Sequence, residues 1–399
     1  MSSSFCAALW YNLFYKEASG KYKPCCVYQP QNNKTNTTLN GFVNSEEMIK
    51  ARQESLNGEW PAGCTRCKIN EDAGAPSDRI YENIRHDIRN SEDHLDIKPT
   101  IKVLDYRPGN LCNLKCRSCN PEDSSQIVKE IEKTPELARY YSSPIISKPY
   151  LDRLIDKIDY GSEMNPELLD HDIVKNLEQV KMIGGEPSID PRVHNYIEWL
   201  IEHGYSKNLK LRYTTNGTNV NSKWIDYHKH FKRVVISISL DGAGKTFEYI
   251  RTPAKWSTIK NNVHKLAEVS NHLNINFVYS LWNCFTVGEY FHQLINLSNS
   301  GVKQITVIPS MRYNQHPRIL PESYKEKVRN MLNILPRDTD MGYKFISSCK
   351  KSLNMSRPSG SDAAIKNFFD FNSELDVVRG TDLFEISSLY RKLYDDINK

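Results

Sequence analysis

The chain has 399 residues, 39% of them hydrophobic and 25% charged, the proportions of a globular protein long enough for two or three domains. Its formal net charge of +5 is too small over that length to argue for a nucleic-acid or membrane-surface protein. No stretch reaches the roughly 20 apolar residues of a membrane span, and Met1-Ser2-Ser3-Ser4-Phe5-Cys6 lacks the basic start and apolar core of a secretory signal, so a cytoplasmic protein without membrane contact is expected.

In that setting ten cysteines read as metal ligands or reactive thiols, not as a disulfide framework, and the Asn36-Thr37-Thr38 sequon as chance. Residues 1–85 are rich in cysteine, aromatic residues and turn formers. They contain a polar loop from Gln31 to Asn40 and a helix expected over Ser45 to Leu56. The charged stretch Glu82 to Lys98 reads as a connector.

From Ile101 apolar runs alternate with amphipathic segments. Strands are expected at 101–106, 179–183, 209–214, 233–240, 274–281 and 303–308. Helices are expected at 124–132, 191–203, 221–230, 257–270 and 288–299. The long first crossover has room for two more, at 149–158 and 171–177. Strand–helix alternation implies parallel strands joined by right-handed crossovers. The fold class is therefore α/β, a partial (β/α)6 TIM-like barrel over 98–312. A small Cys-rich domain (1–85) precedes it. A C-terminal helical extension (313–399), with helices at 321–334 and 379–398, follows and covers the barrel or a substrate.

In such barrels chemistry gathers at the C-terminal ends of the strands. The first strand runs into Cys112-x-x-x-Cys116-x-x-Cys119. Three thiolates are one short of the four that close an iron–sulfur or zinc site. A four-iron cluster held this way keeps one iron free to bind a small molecule, whereas a zinc site would need a distant His or Cys. The later strands end in Gly184-Gly185-Glu186-Pro187, Thr214-Thr215-Asn216-Gly217-Thr218 and Ser237-Ile238-Ser239-Leu240-Asp241-Gly242. Glycines there let backbone groups approach a ligand. Gly-Gly-Glu-Pro alone also reads as a turn, and Asp241 before Gly242 as a turn former.

These motifs, in this order over residues 101 to about 310, closely resemble the radical S-adenosylmethionine (SAM) superfamily. One departure is Ser118, where that family usually has an aromatic residue. The resemblance implies that Cys112, Cys116 and Cys119 hold a [4Fe–4S] cluster whose open iron chelates SAM. It places Gly184, Gly185, Glu186 and Pro187 at the methionine amino group. Thr215, Asn216, Ser237 and Ser239 would line the ribose and carboxylate region, and the backbone around Ile308 would flank the adenine. It further implies reductive cleavage of SAM to a 5′-deoxyadenosyl radical, with a flavodoxin- or ferredoxin-type electron donor. The cofactor carries that chemistry and the protein positions it.

Cys6 and Cys25 enclose Gly20 in a C-x13-G-x4-C arrangement, and Cys64-Thr65-Arg66-Cys67 adds a C-x-x-C pair. Four thiolates form a complete set for a second cluster or a zinc knuckle with four cysteine ligands. The spacing resembles the opening of the SPASM/twitch auxiliary-cluster domain, here placed ahead of the barrel. That likeness implies an auxiliary [4Fe–4S] cluster and a peptide or protein substrate. The glycine spacing favours Cys25 over Cys26 as the ligand. Cys284, just past the fifth strand, could donate a hydrogen atom or proton, or be a buried small hydrophobe. Asp241 is the other candidate catalytic residue, and Arg251 could meet a carboxylate. Rival readings are radical modification of a nucleoside, sugar or RNA, for which no aromatic-and-basic recognition motif is present, and a zinc-stapled binding protein without catalysis.

Overall fold

The computed structural model describes residues 4–17, 20–31, 38–88, 98–141 and 164–399. They fall into two units: Met1–Gly109, Tyr160–Tyr213 and His230–Arg233 in the first, and Asn110–Asp159, Thr214–Lys229 and Val234–Lys399 in the second.

The first unit is built on β1 (Asn12–Lys16), β2 (Lys21–Lys23), β3 (Val103–Arg107), β4 (Gln179–Met182) and β5 (Lys210–Thr215). β1 pairs antiparallel with β2 and parallel with β3, and β3, β4 and β5 continue in parallel. Side chains alternate across a strand, so Leu13, Tyr15, Leu104, Tyr106, Val180, Met182, Leu211 and Tyr213 share one buried face. The helix Pro191–Glu202 packs on that face, with Tyr196 edge-on to Tyr106 at 6.0 Å. Its start is written in sequence: Asp190 caps the Arg192 amide, and Pro191 occupies the first turn. Val193, Tyr196, Ile197 and Leu200 recur at helical spacing and are buried. The helix Glu46–Leu56 buries Met48 and Ala51 against the chain start from Phe5 to Tyr11.

The second unit carries β6 (Arg233–Ser239), β7 (His272–Tyr279) and β8 (Val302–Pro309), all parallel. Residues Val234 to Ile238 are buried without interruption, the mark of a strand covered on both faces. The helices Trp256–Val269 and Val287–Asn299 follow β6 and β7 in the chain. This alternation of parallel strand and helix is that of a partial TIM-like barrel, and all six expected strands are present within a few residues of their expected bounds.

β1 and β2 were not anticipated, although Asn12-Leu13-Phe14-Tyr15-Lys16 has the aromatic enrichment of a strand. The expected helix at 149–158 lies outside the described residues, and the one at 171–177 is a single turn, His171–Val174. The C-terminal part is helical as expected, with different bounds. After Glu322–Asn333 come Asp340–Leu353 and Ser361–Arg379, two helices in a stretch without clear sequence pattern. A helix over 379–398 is corrected: Gly380, at φ +63°, closes one helix and Ser387 caps the next, Ser388–Ile397. Among the described residues no helix is long and apolar enough to cross a membrane.

The helix Ser361–Arg379 has a specific job in its unit. Arg117 is wholly buried and donates to Asn372 Oδ1 (3.0 Å), Thr381 Oγ1 (2.8 Å), Asp376 Oδ1 and the Tyr249 carbonyl (3.1 Å). Its guanidinium also lies 3.7 Å from the centre of the Tyr249 ring. Removing one partner of a buried pair strands the other charge, at about 3–5 kcal/mol. Asp376→Ala is therefore expected to lower unfolding stability by that amount in a urea titration, whereas exposed Asp370→Ala is expected to change it by less than about 0.5 kcal/mol.

Candidate metal and cofactor site

Cys112, Cys116 and Cys119 lie on the loop that joins Asn110 to the helix Ser125–Lys133. Ser124 and Ser125 shape it: Ser124 Oγ donates to the Leu114 carbonyl (2.6 Å), while Ser125 Oγ accepts from Cys112 N and donates to Cys112 O (both 3.2 Å). The far side is tied through Lys115 N to Thr252 O and Arg117 N to Ile250 O, both 2.8 Å. Arg312 donates to the Cys119 carbonyl (3.0 Å) and to Asn120 Oδ1. Loop backbone and side chain are thus fixed from several directions.

Cys112 and Cys116 are buried and Cys119 is half-buried. Donors reach two of the sulfurs. Cys112 Sγ accepts from Leu114 N (3.4 Å) and Asn216 Nδ2 (3.8 Å), and Cys116 Sγ accepts from Arg251 Nη1 (3.8 Å). Burial pushes the Cys116 thiol up, and the Arg251 guanidinium pulls it back down. Burial raises Cys119 well above its ordinary value, with Asp123, Cys116 and Cys112 adding to the rise. Donors and a cation beside a sulfur favour its thiolate form.

Two buried guanidinium groups near Cys116 carry N–H groups with no hydrogen-bond partner among the described residues, Arg251 Nε and Arg379 Nη1. Arg379 is otherwise engaged by Glu130 (2.6 and 3.0 Å), which also takes Lys115 (2.7 Å). Orphaned donors at this depth mark a place for an acceptor. Three thiols, cationic surroundings and unfilled donors together fit a thiolate-held anionic group. Among the described residues no three His, Cys, Asp or Glu side chains converge on the position of a single metal ion.

Asp241, expected among the catalytic residues, is 1% exposed and pairs with Arg251 at 2.7 Å, while its Oδ1 accepts from Val278 N at 2.8 Å. Its ion-pair partner Arg251 thus stands between it and Cys116, whose thiol also feels the Asp241 charge. Thr215 Oγ1 accepts from Gly217 N (3.0 Å), and Asn216 Oδ1 accepts from Thr218 N (2.9 Å), so these side chains also shape their own turn. Asn216 Nδ2 additionally bonds Asn113 Oδ1 at 2.9 Å, linking that turn to the cysteine loop. Gly217 requires its φ of +76°, and a Cβ there would meet Ile238 at 2.5 Å. Ser237 is buried, Ser239 is half-buried, and the two share one face of β6; Ile308, near the end of β8, is exposed. Cys284 is completely buried, its thiol directed at the Leu281 carbonyl (3.5 Å) and pushed up by burial.

In the first unit Gly184 and Gly185 follow β4. A Cβ at Gly184 would lie 2.9 Å from the Gly109 carbonyl, which also accepts from Gly185 N at 2.9 Å. Glu186 is buried and its Oε1 takes both the amide (3.2 Å) and the hydroxyl (2.7 Å) of Ser188, which opens a short turn at Pro187.

The same unit brings Cys6, Cys25, Cys64 and Cys67 around one cavity, walled also by Tyr28, Trp60 and Arg79. The thiols act on one another. Cys6 is raised by burial and by Cys64 and Cys67, Cys25 by burial and Cys6, and Cys64 by burial, Cys25 and Cys67 to about 12. Cys26 is exposed and does not line this cavity, although its charge reaches Cys25, so Cys25 is the one placed with Cys6, Cys64 and Cys67 at the cavity wall. Gly63 is required for close approach, because a Cβ would sit 2.3 Å from the Tyr28 ring. Four thiols lining one cavity without converging on a single ion's position suit a thiophilic group larger than one metal ion. Arg117, Arg312, Arg379 and the buried Tyr141 beside Cys119 were not anticipated. Only the position of Arg117 between two of the cysteines could have drawn notice.

A search of curated proteins finds no match to the chain. Among solved structures, Streptococcus suis SuiB bound to S-adenosylmethionine is 15% identical, with a TM-score of 0.34 over 66% of this chain and 57% of that one. SuiB bound to precursor peptide SuiA is 15% identical, at 0.35 over 70% and 62%. The protein anSMEcpe with bound AdoMet is 14% identical, at 0.35 over 59% and 60%. The chain spans about three fifths of the length of these structures. The family rests on sequence: residues 106–279 match the model described as Radical SAM superfamily. That span contains all three loop cysteines, Gly184 to Pro187 and the ends of β5 and β6, and by it the chain carries a radical SAM superfamily domain.

Proposed function

We propose that the chain is a radical SAM enzyme that abstracts hydrogen from a peptide or protein side chain. Members of this superfamily are enzymes, and the family implies a [4Fe–4S] cluster and SAM. Cys112, Cys116 and Cys119 would hold the cluster. Once bound, it supplies the electron that splits the sulfonium of SAM into methionine and a 5′-deoxyadenosyl radical.

The rest falls to the chain's own residues. Leu114 N, Asn216 and Arg251 steady two thiolates by donating to their sulfurs. Asp241 is a positioning residue that orients Arg251. Gly184 and Gly185 present backbone to the methionine amino group, with Glu186 beside them. Thr215, Asn216, Ser237 and Ser239 serve the ribose and carboxylate, and the backbone at Ile308 serves the adenine. The Cys284 thiol enters as packing, because it is completely buried and its hydrogen is directed at the Leu281 carbonyl. The observation that carries the reading is the pair of unfilled guanidinium donors beside Cys116, set in the span that matches the family.

Cys6, Cys25, Cys64 and Cys67 would hold a second [4Fe–4S] cluster. Four protein ligands leave no open iron, so its role is electron transfer. SuiB is known bound to a precursor peptide, and a substrate of that class is the one proposed for this chain. A flavodoxin- or ferredoxin-type protein would be the donor.

Anaerobic reconstitution with iron and sulfide, then dithionite and SAM, is expected to yield 5′-deoxyadenosine, with at least a 100-fold loss (about 2.7 kcal/mol) in Cys116→Ala. Purified colourless protein carrying zinc and forming no 5′-deoxyadenosine would overturn the reading. Iron is expected at about eight per chain, the content of two four-iron clusters, and at about four in the Cys64→Ala, Cys67→Ala double variant. Unchanged iron in that variant would refute the second cluster.

A further inference from the structure

The first unit's sheet has two unlike faces. One is the buried apolar face described above. The other is made of charge: in register across β2, β1, β3, β4 and β5 stand Lys23, Phe14, Asp105, Lys181 and Arg212. The next row holds Lys21, Lys16 and Arg107, and Lys210 precedes Arg212 on the same side of β5. Seven cations thus share one sheet face with a single carboxylate, and all seven are half-buried. Parallel sheets as a rule cover both faces with apolar side chains, so a cationic face needs a reason.

Asp105 does not neutralise it. That carboxylate takes Lys181 at 2.7 Å and Arg107 at 3.4 Å. The side chains of Lys210 and Arg212 have no hydrogen bond or ion pair among the described residues. Lys210 is surrounded by Arg212, Arg85 and Arg233, and Arg212 by Arg85 with the carboxylates of Glu82 and Asp105, of which Glu82 is already engaged by Arg85 (2.8 Å) and Asn12 (2.7 Å) and Asp105 by Lys181 and Arg107. Burial and these like charges push both groups below their ordinary values. Lys23 is pushed down by burial, with Lys21 and Lys16 adding to the effect against the pull of Cys25 and Cys26. An anion seated here would gain charge-assisted hydrogen bonds and relieve repulsion together.

We infer that this face binds the acidic segment of a peptide substrate, one carrying two or more carboxylates within reach of Lys181 and Arg212. The inference rests on the radical-enzyme reading for the word substrate, and it specifies that substrate's chemistry. A nucleic acid fits less well. Single strands are held by stacking bases on open aromatic faces, and the aromatic ring in this row, Phe14, is buried and flanked by Arg107 (4.8 Å) and Lys23 (5.8 Å). Exposed Cys26 lies within electrostatic reach of Lys181 and Arg107, which sets the face beside the four-thiol group of the same unit.

The test is fluorescence anisotropy on the reconstituted full chain with three labelled probes: a Glu-rich peptide, its Gln-rich counterpart and a single-stranded oligonucleotide. The Glu-rich peptide is expected to bind, to weaken as salt rises and to lose about tenfold in affinity in Lys181→Gln, Arg212→Gln. Arg212→Lys is expected to keep most of the affinity. Because the Arg212 side chain has no ion pair to lose among the described residues, Arg212→Gln alone is expected to melt no lower than the wild type, and a lower Tm there would assign the cation a structural role and overturn the proposal; Lys181→Gln also removes a partner of Asp105. Equal binding of Glu- and Gln-rich peptides, undiminished binding by the double variant, or tighter binding of the oligonucleotide would each overturn it too. The readout is separate from SAM cleavage: a protein that binds the acidic peptide yet never forms 5′-deoxyadenosine refutes the radical reading and supports this one.

Discussion

A short loop that must present three sulfurs in a fixed arrangement has no repeating hydrogen-bond pattern to hold it. Every constraint has to come from elsewhere in its unit. Here the constraint centres on Arg117, a residue inside the cysteine motif whose charge is carried into the protein and met by Asp376, Asn372 and Thr381. Removing a charge from water is expensive unless several well-placed partners receive it, so the loop has one low-energy position. The backbone bonds to Ile250 and Thr252 and the Arg312 contact at Cys119 make that position rigid. The C-terminal helix Ser361–Arg379 therefore acts as a clamp on the cysteine loop, and its last residue adds a guanidinium beside Cys116.

The same economy of charge runs through the surroundings. Arg251 is paired by Asp241 and still directs one nitrogen at Cys116. Lys115, Glu130 and Arg379 form a buried chain from the loop to the end of the clamp helix. In the first unit four thiols face one cavity with aromatic walls and Arg79 nearby. Both cysteine groups thus combine low dielectric with fixed N–H donors or cations, the setting in which a thiolate ligand is steadied and an electron can be held away from water.

Much of this was legible in the sequence, for identifiable reasons. The six strands from Val103 to Pro309 are continuous apolar or alternating runs bounded by turn residues, and the loops after them carry their glycines where backbone must approach closely. The cysteine spacings pointed to the two groups, and the Gly20 spacing favoured Cys25, which lines one cavity with Cys6, Cys64 and Cys67 whereas Cys26 is exposed. What could not be read depends on distant contacts. β1 is only five residues long and sits amid cysteines that drew the eye to metal chemistry. The helices Asp340–Leu353 and Ser361–Arg379 bury wide faces, which blurs their periodicity. Arg117, Arg312 and Arg379 look like ordinary surface cations until the fold closes over them. Asp241 was visible as a residue of interest, but its partnership with Arg251 was not.

The central claim is that three thiolates leave one iron free for a sulfonium substrate. Electron paramagnetic resonance of the dithionite-reduced Cys64→Ala, Cys67→Ala protein, which isolates the loop cluster, tests it directly. The account predicts that the reduced signal changes its g-values when SAM is added. A signal identical with and without SAM would contradict it.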